Sequence, residues 1–357
     1  MLKKVMDYSG PNPHKSYPKF KNCLIFGIFL LFLATSCSKT TEFTSAFSNT
    51  HDRVWIGKEY WSVPLEDWKV ENGRVHCIGT VPNSRVNLLT YLLKPEPGNF
   101  EASVKVKLLE KGNMNGTAGL LLGAFDDEDP DVRAACFFGE GVKAGISLKG
   151  YVFLGNKQAK LPEGFDFSEI QLTVKGNNKT LKLEVKDKPG DNMVELDTDI
   201  DGIQGIVAMA TNLIQDEDHK QGNSTFSFYD LQLSGSKVAY QPENAFGPVL
   251  FIHYTLSKDI MKLMALLPPV GEEDTQIVSL QLKNGNDWTT VATEQLEPDS
   301  RTTVFSIENW DSQKDVAYRV EYIEKGKNGI ETPEYYHGTI RKDPVDKPLK
   351  LGGLTCQ

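Results

Sequence analysis

"NFEASVKVKLLE", residues 99–110, alternates. Phe100, Ala102, Val104, Val106 and Leu108 fall on one side; Glu101, Ser103, Lys105 and Lys107 fall on the other. A period of two marks a strand with one face in a core and one in water. The same reading spreads outward. "SEIQLTVKGNNKTLKLEVKD" (168–187) places Ile170, Leu172 and Val174 before a Gly-Asn-Asn turn and Leu181, Leu183 and Val185 after it, which predicts a hairpin. "RVHCIG" (74–79), "TAGLLLGAF" (117–125), "RAACFFGEG" (133–141), "GISLKGYVFLG" (145–155), "GIQGIVAMATN" (202–212) and "STFSFYDLQLSG" (224–235) are further short strand-like runs. No stretch carries a 3.6-residue stripe over ten or more residues. Many short strands and turns predict a β-sandwich over 53–240.

"KVAYQPENAFGPV" (237–249), with two prolines, breaks the pattern. Seven strand candidates follow over 241–343: "VLFIHYTL", "DIMKLMALLP", "TQIVSLQLKNG", "DWTTVATEQL", "RTTVFSIENW", "VAYRVEYIEKG" and "PEYYHGTIRK". That number fits an immunoglobulin- or fibronectin-type sandwich. "IMKLMALL" reads equally as one or two helical turns, because short apolar runs are ambiguous.

The N-terminus reads as an export signal. Lysines lead into "CLIFGIFLLFLA" (23–34), an apolar run of twelve residues. A membrane-spanning helix needs about 20, so the run suits a signal-peptide core. Ala34, Thr35 and Ser36 before Cys37 resemble a bacterial lipobox, which makes residues 1–36 the signal peptide and Cys37 the acylated residue. Residues 37–52, Ser/Thr-rich, then read as a lipidated tether. The implied location is the cell envelope, lipid-anchored, periplasmic or outer-membrane, with the lipid bilayer as partner.

Net charge is −9, and the first 36 residues carry five lysines against Asp7, so the body is the more acidic part. An acidic body argues against nucleic acid as a partner. Cys77 and Cys136 sit in apolar runs and read as buried thiols, although an exported chain permits a disulfide between them.

Candidate chemistry is sparse. Asp127, Asp129 and Asp131 have the alternate spacing that lets carboxylates converge on calcium, but Val132 and Phe138 stand where an EF-hand needs Gly and Glu; the bland reading is a solvated acidic turn. Trp61 and Trp68, in a stretch that also holds Trp55 and Tyr60, could stack on sugar rings or fill a core. The six histidines are scattered, and no nucleophile elbow or phosphate loop occurs. No catalytic residue is assigned.

"VPLEDWKVENGRVHCIG", "RAACFFGEGVKAGISLKGYVFLG", "YDLQLSGSKVAYQPENAFGPVLFIHYTLS", "SIENWDSQKDVAYRVEY" and "GTIRKDPVDKPLKLGGLTCQ" together resemble the N-terminal half of bacterial phosphodiesterase/alkaline phosphatase D-like metallophosphoesterases, over roughly residues 53–357. The resemblance implies an all-β chain: a concanavalin-like jelly-roll sandwich followed by an immunoglobulin/fibronectin type III-like sandwich. It implies that 344–357 is a linker and the first strand of an absent catalytic domain, where Cys356 would be the first residue of a metal pair. The family's later Gly-Asp and Asn-His motifs do not follow; Gly190-Asp191 sits in a polar turn, and no Asn precedes a His. Two expectations result. One is a non-catalytic, membrane-tethered accessory portion of such a phosphoesterase, split or truncated, inactive alone, with no cofactor of its own and a catalytic-domain partner. The other is a carbohydrate-binding lipoprotein module with no phosphatase connection and a glycan as partner.

Overall fold

The computed structural model describes residues 40–345 and 348, apart from 189, 191 and 215–219. Cys37, Cys356 and nearly all of 346–357 lie outside the described residues.

Strands β1 (Thr41–Thr44), β2 (Tyr60–Ser62), β3 (Trp68–Glu71), β4 (Arg74–Cys77), β5 (Ser84–Leu93), β6 (Phe100–Glu110) and β7 (Thr117–Phe125) precede helix α1 (Val132–Phe138). After it come β8 (Glu140–Ser147), β9 (Tyr151–Leu154), β10 (Lys157–Lys160), β11 (Ile170–Gly176), β12 (Thr180–Asp187), β13 (Met193–Asp199), β14 (Gly205–Thr211), β15 (Thr225–Gly235) and β16 (Val238–Tyr240). The first sheet runs β13-β12-β11-β6-β15-β4-β3, with β1 on β15; the second runs β10-β9-β8-β7-β14-β5-β16, with β2 on β5. Their facing sides share one core. Ala102, Val104 and Val106 of β6, Leu172 and Val174 of β11 and Leu183 of β12 meet Leu120 and Leu122 of β7 and Val207 and Met209 of β14. Each of the Val, Leu and Met side chains among these contributes about 1.5–3 kcal/mol by leaving water. The hairpin read at 168–187 is present, with Leu172 opposite Val185 and Val174 opposite Leu183.

The second sandwich holds β17 (Phe251–Ser257), β18 (Ile260–Leu266), β19 (Ile277–Asn284), β20 (Asp287–Gln295), β21 (Thr302–Glu308), β22 (Val316–Lys325) and β23 (Glu331–Ile340). Its sheets are β17-β18-β21 and β20-β19-β22-β23. All seven expected strands form, and "IMKLMALL" is a strand because Met261, Leu263 and Ala265 alternate into the core. The chain is all-β: a concanavalin-like jelly-roll sandwich followed by an immunoglobulin/fibronectin type III-like sandwich.

Three expectations need correction. "RAACFFG" forms helix α1, not a strand: Asp131 caps it by accepting the Arg133 N–H, and Ala135 and Cys136 pack on the outer face of the second sheet with Leu89, Leu121 and Ala208. Arg85 secures the other end by donating to the carbonyls of Ala135, Cys136 and Gly139 at 2.8–3.1 Å. The tether expected over 37–52 is not one from Thr41 onward. Thr41–Thr44 pairs with β15, Phe43 packs on the core and Phe47 is inside it, so the aromatics hidden among the Ser/Thr residues decide. Finally, Trp55, inside the 53–240 range expected for the first sandwich, does not belong to the first core. It is fully buried in the second, its indole N–H donating to the Phe246 carbonyl at 3.2 Å.

Beside Trp55, a charged network ties the two sandwiches. Arg53 donates to Asp274 at 3.0 Å and to Glu324 at 3.1 Å, and lies 4.3 Å over the Trp55 ring. His51 Nδ1 is 3.1 Å from the same Asp274 oxygen.

Candidate functional site

A groove of about 600 Å³ opens where the two sandwiches meet. One wall is Trp61 on β2, held in place by pairing with Asn87, whose side-chain amide donates to the Trp61 carbonyl at 3.2 Å. Phe246, from the segment joining the sandwiches, stacks on Trp61 with ring centroids 5.5 Å apart and planes 11° apart. Phe137 of α1 meets the indole edge-on at 5.7 Å. Tyr335 and Tyr336 on β23 also line the groove. Trp61 is only half-buried, and both tyrosines are exposed.

Polar groups alternate with these rings. Asp131 and Arg133 pair at 2.6 Å at the start of α1, and that contact with Arg133 holds the Asp131 carboxyl down to about 2. Asn244 donates to the Leu89 carbonyl at 3.1 Å, and the Glu243 carboxylate is exposed on the rim. Glu334 pairs with Lys58 and also lines a smaller cleft of about 240 Å³ with Arg53, Glu59 and Glu324. Burial pulls the Lys58 ammonium down, but the hydrogen bond to Glu334 together with the charges of Glu334, Glu59 and Glu324 outweighs it and holds the group above its ordinary value. Burial pushes the Glu59 carboxyl up. An amphipathic groove of this kind can hold a ligand with flat apolar faces and hydroxyl edges, the rings taking the faces and the amide, carboxylates and guanidinium the edges.

Trp61 is thus where a platform is possible; Trp68 is not. Trp68 lies in the first core, fully buried, with its indole N–H donating to Ser84 Oγ at 3.1 Å and its ring 6.1 Å from Phe228. It is a core residue. Nor do Asp127, Asp129 and Asp131 make a cation cradle. Asp129 accepts the Asp131 N–H and Asp131 accepts the Arg133 N–H, both at 2.9 Å, so these two of the three carboxylates are committed to successive turns that lead into α1. Among the described residues, no group of three or more His, Cys, Asp or Glu is placed to hold a metal ion. Cys77 and Cys136 are both buried free thiols; burial pushes Cys136 up to about 12. Among the described residues, no helix is long and apolar enough to cross a membrane.

Phe246, Arg133, Glu334, Tyr335 and Tyr336 were not singled out from sequence. One signal was available: adjacent tyrosines in the strand "PEYYHG" point to opposite faces, so at least one must leave the core.

No family model matches the chain, and no curated protein matches it. Solved structures similar to it include arcelin-5, a lectin-like defence protein from Phaseolus vulgaris, at 10% identity and TM-score 0.35, covering 57% of this chain and 99% of that one. Lectin II from Ulex europaeus is similar at 10% identity and TM-score 0.33, covering 55% and 98%. The calcium-bound exoplasmic/lumenal domain of VIP36 is similar at 12% identity and TM-score 0.31, covering 49% and 81%. The two-sandwich architecture rests on the strand pairing itself.

Proposed function

We propose that this chain is a carbohydrate-binding module of the cell envelope, tethered to the bilayer through acylated Cys37, that holds a glycan in the groove between its sandwiches. The observation that carries the reading is the half-buried Trp61, stacked on Phe246 in a groove that two tyrosines also line and whose other lining mixes amide, carboxylate and guanidinium groups with aliphatic residues such as Leu89, Val132 and Leu250. Sugar rings present apolar C–H faces and hydroxyl edges, and such a lining meets both. Rigid aromatic groups lose little conformational freedom on binding, which favours them as anchors. The role is binding and tethering, with no chemistry performed on the ligand.

A panel of polysaccharides titrated against the full chain in detergent tests this, with intrinsic tryptophan fluorescence as readout. Binding changes the emission of the chain that retains Trp61, and Trp61→Phe removes most of that change. Trp55, Trp68 and Trp310 are buried and contribute a constant background, and half-buried Trp288 is replaced by Phe in both proteins compared, so that Trp61 is the reporter. A flat response across the panel retires the reading.

A further inference from the structure

The open face of the β20-β19-β22-β23 sheet carries a ladder that the groove does not explain. Val278, Leu280, Val320 and Tyr322 turn into the second core, so the alternating positions Ser279, Arg319 and Glu321 turn out. Across the strands, Lys283 stands opposite Trp288, Gln281 opposite Arg319, Arg319 opposite His337, and Glu321 opposite Tyr335. The Arg319 guanidinium lies 4.8 Å from the Trp288 ring centre and 4.0 Å from that of Tyr335. Its Nε donates to Gln281 Oε1 at 2.6 Å, which fixes the plane. Lys283 Nζ is 6.0 Å from the Trp288 ring, and His337 lies 5.6 Å from Trp288 and 6.1 Å from Tyr335.

Among these paired positions two cations, Arg319 and Lys283, stand against one carboxylate. Glu321 is the carboxylate among these paired positions, and it accepts a hydrogen bond from Gln281 Nε2 at 3.2 Å. Neither Arg319 nor Lys283 forms an ion pair among the described residues, and the terminal guanidinium nitrogens of Arg319 have no hydrogen-bond acceptor there. Arg319 therefore sits between two aromatic rings, with Lys283 beside one of them, on a protein whose net charge is −9. Tyr335 belongs to both this ladder and the groove lining, so the two surfaces are continuous.

We infer that the ladder binds the carboxylates of a linear acidic polysaccharide, a polyuronate, whose chain continues from the groove onto the second sandwich. The inference rests on the groove reading for the course of the chain. Arg319 presents a planar fork suited to a carboxylate, Lys283 adds a point charge, and Trp288 and Tyr335 supply ring faces for the sugars. A carboxylate occurring on every sugar would meet these cations without any change of chain direction.

Equilibrium binding of the full chain in detergent to polygalacturonate, dextran sulfate and neutral dextran tests this. Polygalacturonate binds at least tenfold more tightly than dextran, and its affinity falls as salt rises. Arg319→Gln weakens polygalacturonate binding at least tenfold and leaves any dextran binding unchanged. Lys283→Gln, exposed and structurally neutral, weakens it by a smaller factor. Tighter binding of dextran sulfate than polygalacturonate overturns the assignment to a polyuronate. Equal affinity for polygalacturonate and dextran, or no effect of either substitution, overturns the inference. The two readings fail separately: Trp61→Ala abolishing binding while Arg319→Gln changes nothing removes the ladder alone. Arg319→Gln abolishing binding while Trp61→Ala changes nothing removes the groove alone.

Discussion

Trp61 and Trp68 stand in one aromatic stretch and have opposite fates. Trp68 is enclosed in the first core and hydrogen-bonded to Ser84; Trp61 stands at the groove, half in water. Trp68→Ala is expected to destabilise the fold by about 3–5 kcal/mol, by lost transfer energy plus the cavity left behind. Trp61→Ala is expected to remove glycan affinity while costing roughly 1–2 kcal/mol of stability, the share of one half-covered aromatic contact. Urea denaturation of both variants beside a binding titration separates the two roles. Glu59 gives a pH-dependent case. Its folded carboxyl is raised by burial, so it keeps its proton to higher pH than in the unfolded chain. Its favourable contribution is complete below the unfolded value near 4.5 and is lost as pH rises through the folded value. Glu59→Gln should therefore raise the melting temperature at pH 7, with the gain shrinking toward pH 4. A gain that grows as pH falls contradicts the burial argument.

At the scale of elements, α1 shows what local pattern conveys and what it hides. Alternation made β6, β11, β12 and the seven strands of the second sandwich legible, because a period of two is visible within a few residues. "RAACFFG" is too short and too evenly apolar to show a period. Its one usable mark is Asp131 at the N-cap position, which the acidic run around it disguised as a cation loop. The segment expected as a tether hides its strand for the opposite reason: Ser and Thr dominate 38–50, yet Phe43 and Phe47 are enough to bind it to the core. Helix α1 closes the outer face of the second sheet and carries Phe137 to Trp61, and Arg85 holds its C-terminal carbonyls. Arg85→Met should cost about 1.5–3 kcal/mol, as expected for hydrogen bonds to a charged group. Amide exchange in 132–138 should accelerate more than in β6. Uniform exchange across both segments contradicts a local role for Arg85.

The molecule as a whole is defined by the seam between its sandwiches. The groove draws on Trp61, Arg133, Phe246 and Tyr335, from parts of the chain far apart in sequence, so no window of sequence could assemble it. The fold class was legible because enough strands announce themselves by alternation; the site was not, because it exists only after the sandwiches dock. The seam is held by buried charge. Asp274 accepts from Arg53 and sits beside His51, with side chains nearly excluded from solvent. Removing one partner of such a pair leaves the other uncompensated, at a cost of about 3–5 kcal/mol. Asp274→Ala is thus expected to separate the thermal unfolding of the two sandwiches. Calorimetry should show one transition in the parent becoming two, and a single unshifted transition contradicts a coupling role for this network.

Where a sugar sits on the chain is the most direct test of the groove. A crystal structure of the chain with a bound oligosaccharide measures this. The expected result is a pyranose between Trp61 and the Tyr335–Tyr336 surface, with its hydroxyls within hydrogen-bond distance of Asn244, Arg133 or Glu243. A sugar seated on another surface, with Trp61 and Phe246 untouched, contradicts the account.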